Sequence, residues 1–293
     1  MKSFIKNLHL IIIPSSFIIL TISFLSLFFS KNSFIIDLFS HYQLQYFIIL
    51  FIFASILLFY KKFLTSFLIS IYMFFLWINF IHPIQFFEKE MKTEIFYMNT
   101  YYYNSEFEDI VEKIKQIQPE IIFLVEANEL IISKLKSIYG KPIIEINESY
   151  NSYVLFTNKP PISYEIKTYT NMPKYLKVKF DDFTFIGLHA NDPLTKQKRE
   201  FNLNLFKKIA EEIKEMDLNN EKFIVVGDFN NTYYSATFRL HFEKFFHKNI
   251  YSWSTNRPWA LPIDHALSNF KIEISPTKKL SSDHNGLLIS RNE

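Results

Sequence analysis

Gly227-Asp228-Phe229-Asn230 follows Lys222-Phe223-Ile224-Val225-Val226, a short β-branched and aromatic run that reads as a buried strand. Side chains alternate along a strand, so Asp228 and Asn230 point to the same side. An ionised aspartate at the end of a core strand is costly unless a cation or a donor meets it, although an aspartate there also serves as a loop cap. Two carboxylate–histidine pairs follow, Asp264-His265 and Asp283-His284, each beside an apolar stretch. Upstream, Ile121–Val125 ends in Glu126, Glu94–Met98 ends in Asn99, and Phe183–Leu188 ends in His189. If these strand ends assemble together they form a cluster of carboxylates, amides and imidazoles. Carboxylate oxygens with neighbouring waters suit a hard cation such as magnesium.

The elements that must position these residues are legible as strands at about 94–99, 120–125, 152–157, 174–180, 183–188, 222–227, 263–267 and 286–290. Phe180-Asp181-Asp182-Phe183 reads as a hairpin turn. Ser105 and Glu108 have capping-box spacing, the apolar series Phe107, Ile110, Val111, Ile114, Ile117 has helical spacing, and Pro119 marks the stop. A second amphipathic helix is expected from about Leu194 to Met216. Strands, helices and hairpins mixed in this way predict an α+β or α/β layered domain.

Ahead of that domain the chain changes character. Residues 7–30, 38–60 and 63–87 contain no Asp, Glu, Lys or Arg, and each is long enough to cross a hydrocarbon core. Three transmembrane helices are expected at about 9–30, 42–60 and 63–82, with Pro83 and the polar stretch Glu88–Glu94 as a linker. The expected organisation is therefore a membrane anchor over 1–90, with the lipid bilayer as partner, and a soluble domain over 91–293. Lys2, Lys6 and Lys61-Lys62 favour the cytoplasmic side, which with three crossings puts the domain outside the cytoplasm, as in a bacterial inner or plasma membrane protein.

Composition narrows the chemistry. There is no cysteine, so disulfides, thiolate zinc sites and cysteine nucleophiles are excluded. The four glycines are Gly140, Gly187, Gly227 and Gly286, too dispersed for a dinucleotide or phosphate loop. Residues 1–90 hold six Lys against three acids, which accounts for the whole net charge of +3, so the remaining chain is neutral. A nucleic-acid binder usually carries a basic excess. Lys196, Lys198 and Arg199 read as a solvated helix face, with a local basic patch as the alternative. His265 should face away from Asp264, and His241 and His247 sit in an aromatic-rich helical stretch that suits packing. Tyr101-Tyr102-Tyr103 suits turn packing or a membrane-facing rim, with stacking on a substrate base as the sharper alternative.

The ordered set Asn99, Glu126, His189, Gly227-Asp228-Phe229-Asn230, Asp264 and Ser282-Asp283-His284 resembles the endonuclease/exonuclease/phosphatase superfamily. It is most similar to a bacterial membrane-anchored branch, with Tyr233-Tyr234 where that branch often has Pro-Trp and Asn285 in place of a basic or small residue. The resemblance covers the last two-thirds of the chain. It implies a four-layer α/β-β/α sandwich and a Mg2+- or Mn2+-dependent hydrolase of phosphoester bonds, nuclease-like in its general label. A lipid-headgroup or small-molecule phosphodiesterase and a catalytically silent scaffold of the same fold are the alternatives. In the family's pattern Glu126 is the principal metal ligand, with Asn99 and Asp283 near the ion. Asp228 and Asn230 orient water and phosphate, His284 acts as acid/base or phosphate contact with Asp264 fixing its tautomer, and His189 donates to a phosphate oxygen. Asn151 and Tyr153 line the site in the same comparison.

Overall fold

The computed structural model describes residues 7–81, 84–85, 87–148, 151–254 and 260–291. Pro83, read above as the start of the linker, lies outside them. The chain divides into two compact units, one of Met1–Pro83 with Tyr233–Leu240, the other of Ile84–Thr232 with His241–Glu293.

The first unit is helical: α1 His9–Phe29, α2 Phe34–Ser40, α3 Gln43–Phe59 and α4 Phe63–Leu76. Its surface is inverted relative to a soluble bundle, while its interior holds polar groups beside an apolar cluster of Ile12, Leu50, Leu57, Ile69 and Met73. Phe17, Ile18, Phe51, Phe59, Leu64, Phe67 and Phe74 are exposed, whereas Ser16, Ser23, Ser26, Gln43 and Ser66 are buried. The buried polar groups satisfy one another across helices. Ser23 Oγ donates to Gln43 Oε1 (2.6 Å), Gln43 Nε2 to Ser26 Oγ (2.9 Å), Tyr72 OH to Ser23 Oγ (2.8 Å) and Ser66 Oγ to Ala54 O (3.0 Å). Asp37 accepts from Ala236 N (3.2 Å) and from Thr237 Oγ1 (2.8 Å), while Arg239 Nη2 donates to Leu27 O (2.6 Å).

The expectation of three transmembrane helices needs correction. Among the described residues, only His9–Phe29 is by itself long and apolar enough to cross a membrane, with mean hydropathy 2.3. α2 and α3 would add a second span only if counted together, and they bend by 63°. α2 is a separate helix that stops after Ser40, so the expected span 42–60 is met by α3 alone, which is 17 residues long. The third apolar helix, Phe63–Asn79, falls short of the length required.

The second unit is a sandwich of two mixed sheets with a short parallel pair, β1 Ile84–Gln85 and β10 Asn249–Ile250. One has strand order β11-β9-β8-β7-β6, with β6 Ser163–Tyr169, β7 Met172–Lys179, β8 Thr184–His189, β9 Phe223–Asp228 and β11 Asp264–Ser268. The other runs β12-β13-β2-β3-β5-β4, with β2 Ile95–Asn99, β3 Ile121–Val125, β4 Ile144–Ile146, β5 Tyr153–Thr157, β12 Ile272–Pro276 and β13 Leu287–Arg291. Alternation sends Tyr97, Phe123 and Leu287 inward to meet Phe185, Val226 and Ala266 of the facing sheet. Gly187 has no Cβ for a concrete reason: one would come within 2.7 Å of the Phe123 ring. The opposite face of the β2–β3 sheet, with Phe96, Met98 and Leu124, is covered by α5 Glu108–Ile117 and α6 Glu129–Tyr139. α7 Lys196–Leu218 packs on the other sheet through contacts such as Phe206 with Phe229.

The local grammar mostly holds. Phe180 N donates to Phe183 O at the expected hairpin, and Thr195 caps α7 by accepting from Lys198 N. The capping box does not form. α5 starts only at Glu108, and Asn104 rather than Ser105 organises the approach, accepting from Glu106 N. The helix still ends before Pro119, through Gln118 in the left-handed region (φ 46°).

Candidate active site

Strand direction explains why the polar residues meet. β2 and β3 are parallel, as are β8 and β9, so Asn99, Glu126, His189 and Asp228 emerge at the C-terminal ends of paired strands. β11 runs antiparallel to β9 and β13 antiparallel to β2. Asp264, which opens β11, and Asp283-His284, just before β13, therefore reach the same mouth. Gly227 permits this crowding, since a Cβ there would run into Leu188 O.

A cleft of about 420 Å³ opens at this mouth, lined by Glu126, His189, Asp228, Asn230, Asp283 and His284, with Tyr101, Asn151, Lys198 and Trp253 around them. Asp228, 1 % exposed, lies at its floor. Its Oδ2 accepts from Asn99 Nδ2 (3.1 Å) and its Oδ1 from Asn230 N (2.8 Å). Two imidazoles flank it: His189 Nε2 stands 3.8 Å and His284 Nε2 3.9 Å from Asp228 Oδ2. Glu126 sits alongside in a left-handed backbone conformation (φ 53°), with Oε1 accepting from Asn99 Nδ2 (2.9 Å) and 3.4 Å from His189 Nε2. Asn230, also left-handed (φ 47°), anchors its side chain by donating to Ala190 O (2.9 Å).

Behind the cleft, His284 Nδ1 is 2.7 Å from Asp264 Oδ2, while Tyr97 OH donates to Asp264 Oδ1 (2.7 Å). Burial alone would lower the His284 pKa, but the charges of Asp264, Asp228 and Asp283 outweigh it and push it up to about 10. Burial would likewise raise Asp264, yet the neighbouring His284 charge and hydrogen bonds hold its carboxyl below the usual range. Asp228 goes the other way. Burial and then the Asp264 charge push its carboxyl well above the usual range, against the pull of His284. At neutral pH the geometry therefore favours a protonated His284 paired to an ionised Asp264.

The donor set bears on a metal. Asp228, Asp264 and His284 lie within 4.8 Å of one another through possible ligand atoms, but both Asp264 oxygens are already engaged. Asn99, expected beside the ion, turns its amide NH2 to the two carboxylates and accepts from Tyr101 N through its oxygen (3.0 Å), so it bridges them as a donor. Glu126 and Asp283 line the cleft with Asp228, and so does Asp192, which is held by Lys198. Oxygen donors of this kind fit a hard divalent cation such as Mg2+ or Mn2+.

Several participants went unread in the sequence. Trp253 Nε1 donates to Asp283 Oδ2 (2.9 Å), and no local pattern around Trp253 signals it. Tyr97 was legible in principle, because it lies two residues before Asn99 on the same strand face. Ser282, named in the ordered set without a role, donates its Oγ to Asn99 O (2.8 Å) and accepts from His284 N (3.1 Å), tying the two loops together. Lys198, read as part of a solvated face, reaches the cleft rim and pairs with Asp192 (2.5 Å). Asn151 lines the cleft, whereas Tyr153 is buried and donates to Lys174 O and His189 O. His265 is packed between Phe229 and Phe246 and bonded to Asn231 O (2.8 Å), away from the cleft. His247 is bonded to Ser268 Oγ (2.8 Å).

By sequence the chain matches no protein-family model and no curated protein. By structure it is similar to the 3' phosphatase NExo from Neisseria bound to product DNA hairpin, at TM-score 0.52 and 11% identity over 69% of this chain and 100% of that one. It is similar to D. rerio TDP2 complexed with single strand DNA product, at TM-score 0.50 and 14% identity over 67% and 96%. A third match is an endonuclease/exonuclease/phosphatase family protein from Bacteroides thetaiotaomicron, at TM-score 0.50 and 13% identity over 67% and 95%. The chain thus has the fold seen in these proteins.

Proposed function

We propose that this protein is a membrane-anchored, divalent-metal-dependent phosphoesterase that hydrolyses phosphodiester bonds in a nuclease-like manner. The observation that carries the reading is the Asp228 carboxylate, buried at the cleft floor between the Nε2 atoms of His189 and His284 with Glu126 beside it. A scaffold has no need of so many costly polar groups at one mouth.

Glu126 and Asp283 would hold Mg2+ or Mn2+. When bound, such an ion neutralises charge on the phosphoryl and leaving oxygens. The chain's own residues do the rest. Asp264 ties up Nδ1 of His284, so the imidazolium presents Nε2–H to a phosphate oxygen or leaving group. His189 offers its ring from the other side. Asn230, locked by Ala190 O and donating its N–H to Asp228, holds the Asp228 carboxyl in position to orient an attacking water.

The anchor reading rests on the inverted helical unit. Apolar side chains face outward and polar ones pair between helices, the pattern expected where the surrounding solvent is lipid. The same feature favours a second reading, hydrolysis of a lipid-headgroup phosphodiester. The deciding experiment is a hydrolysis panel on the full-length protein with single- and double-stranded DNA, RNA, phospholipids and sugar phosphates, with and without chelator. Metal-dependent hydrolysis of a diester supports the proposal, and no metal-dependent turnover on any substrate would overturn it. Flotation with phospholipid vesicles tests the anchor: protein that stays at the bottom of the gradient is not membrane-bound.

A further inference from the structure

The turn after Asn99 carries two large aromatic side chains in water at the edge of the cleft. Tyr101 is 43% and Tyr103 70% exposed. Their rings contact each other edge to face, centroids 5.9 Å apart at 65°, and Tyr103 also meets Tyr102 at 5.4 Å and 83°. Burying such rings is normally favourable, so their exposure beside the candidate catalytic groups calls for a ligand.

The turn is held rigidly, and by the site itself. Tyr101 has φ 58°, a conformation uncommon for a bulky residue and maintained only where the surroundings enforce it. The enforcing contacts are Tyr101 N to Asn99 Oδ1 (3.0 Å), Tyr102 N to Glu126 Oε2 (3.4 Å) and Asn104 N to Tyr101 O (2.8 Å). Asn128 Nδ2 adds bonds to Tyr102 O (3.2 Å) and Asn104 O (2.7 Å). The aromatic pair is thus fixed relative to Asn99 and Glu126. Tyr101 and Asp283 line both the cleft and an adjoining hollow of about 350 Å³, whose wall includes Tyr103, Lys279 and Ser281.

We propose that Tyr101 and Tyr103 form a stacking platform for an unpaired nucleobase, making the substrate a nucleic-acid strand with a single-stranded nucleotide next to the scissile phosphodiester. This rests on the phosphoesterase reading above and names its substrate class. Aromatic platforms bind bases through a π-face that every base possesses, and they act on single strands because paired bases are stacked already. The neutrality of the chain beyond residue 90 argues against an extended grip on duplex phosphates and leaves room for a short strand held at few contacts. A quaternary ammonium headgroup is the less favoured occupant. The two rings meet edge to face rather than facing each other across a gap, as walls around a cation would.

The test is equilibrium binding by fluorescence anisotropy, in chelator so that nothing turns over, on full-length protein. Two single-stranded oligonucleotides are compared, one intact and one with a single abasic residue at the position bound next to the site. The wild type should bind the intact strand about tenfold more tightly, the scale of one stacked base. Tyr103→Ala should erase that ratio and Tyr103→Phe should keep it. Equal affinities for the two strands in the wild type, or a ratio unchanged in Tyr103→Ala, would overturn the platform. With Mg2+ added, Tyr103→Ala should raise KM on the intact strand and leave kcat in place. A base-dependent binding ratio without any hydrolysis would sink the phosphoesterase reading and leave the platform standing. Hydrolysis without the ratio would do the reverse.

Discussion

Asp264 and Asp228 are register partners on adjacent antiparallel strands, and their carboxyls are driven in opposite directions. His284 makes the difference. Its Nδ1 sits 2.7 Å from Asp264, whereas its Nε2 is 3.9 Å from Asp228. Asp264 is thereby neutralised by a close partner, and Asp228 is left as the carboxyl whose charge the fold does not fully compensate.

Replacing that uncompensated charge should separate stability from activity. Asp228→Asn keeps the shape and removes the buried charge, at the loss of one hydrogen bond to Asn99. In chelator, denaturant unfolding should show a midpoint equal to or above that of the wild type. Turnover should fall by ~10²-fold or more, the scale for a lost acid/base or electrostatic group. A strongly destabilised variant would mean that Asp228 is already well compensated without metal.

Breaking the Asp264–His284 pair should have the opposite effect on stability. Asp264→Asn leaves His284 buried without its partner, which costs about 3–5 kcal/mol. Tyr97→Phe removes only one hydrogen bond from Asp264 and should cost about 1 kcal/mol. Unfolding curves of the two variants check the ranking, and rates should fall for Asp264→Asn by ~10²-fold or more.

Metal should be read through Glu126. Hydrolysis should vanish with chelator and return with Mg2+ or Mn2+. Glu126→Gln should require a much higher metal concentration and should lose most of any rise in Tm that the metal gives the wild type. An unaltered metal dependence in this variant would place the ion elsewhere.

Stability should have both an acid and an alkaline limb. Burial lowers His265 to about 4, so the folded state binds its proton less readily than the unfolded chain. That contribution is complete above pH ~6.5 and is lost as pH falls toward 4, a change of about 3 kcal/mol. His284 is raised to about 10, so its contribution is complete below pH ~6.5 and is lost as pH rises toward 10. Denaturant unfolding in chelator across pH should show a shallower acid limb in His265→Gln and an unchanged alkaline limb.

The sequence by itself determined the strands that deliver the site. Runs such as Phe223–Val226 and Ile121–Val125 are too apolar to be anything but core, and each ends in a polar residue that alternation directs to a known side. Strand β6, Ser163–Tyr169, was missed although Tyr164 and Ile166 alternate on one face; it is an exposed edge strand, and those side chains stay in solvent. Helix termination at Pro119 was local and readable, but the start of α5 was not: Asn104 accepts from Glu106 N and no side chain caps the helix at Phe107. The apolar runs at 9–30, 42–60 and 63–82 were correct as apolar segments. Their division into spans depended on where helices bend and stop, which hydropathy does not encode. It takes the folded chain to show that Asn99 bridges two carboxylates and that Trp253 holds Asp283. The physical reason is that these are contacts between residues far apart in the chain, created when parallel and antiparallel strands bring their ends to one edge of two sheets.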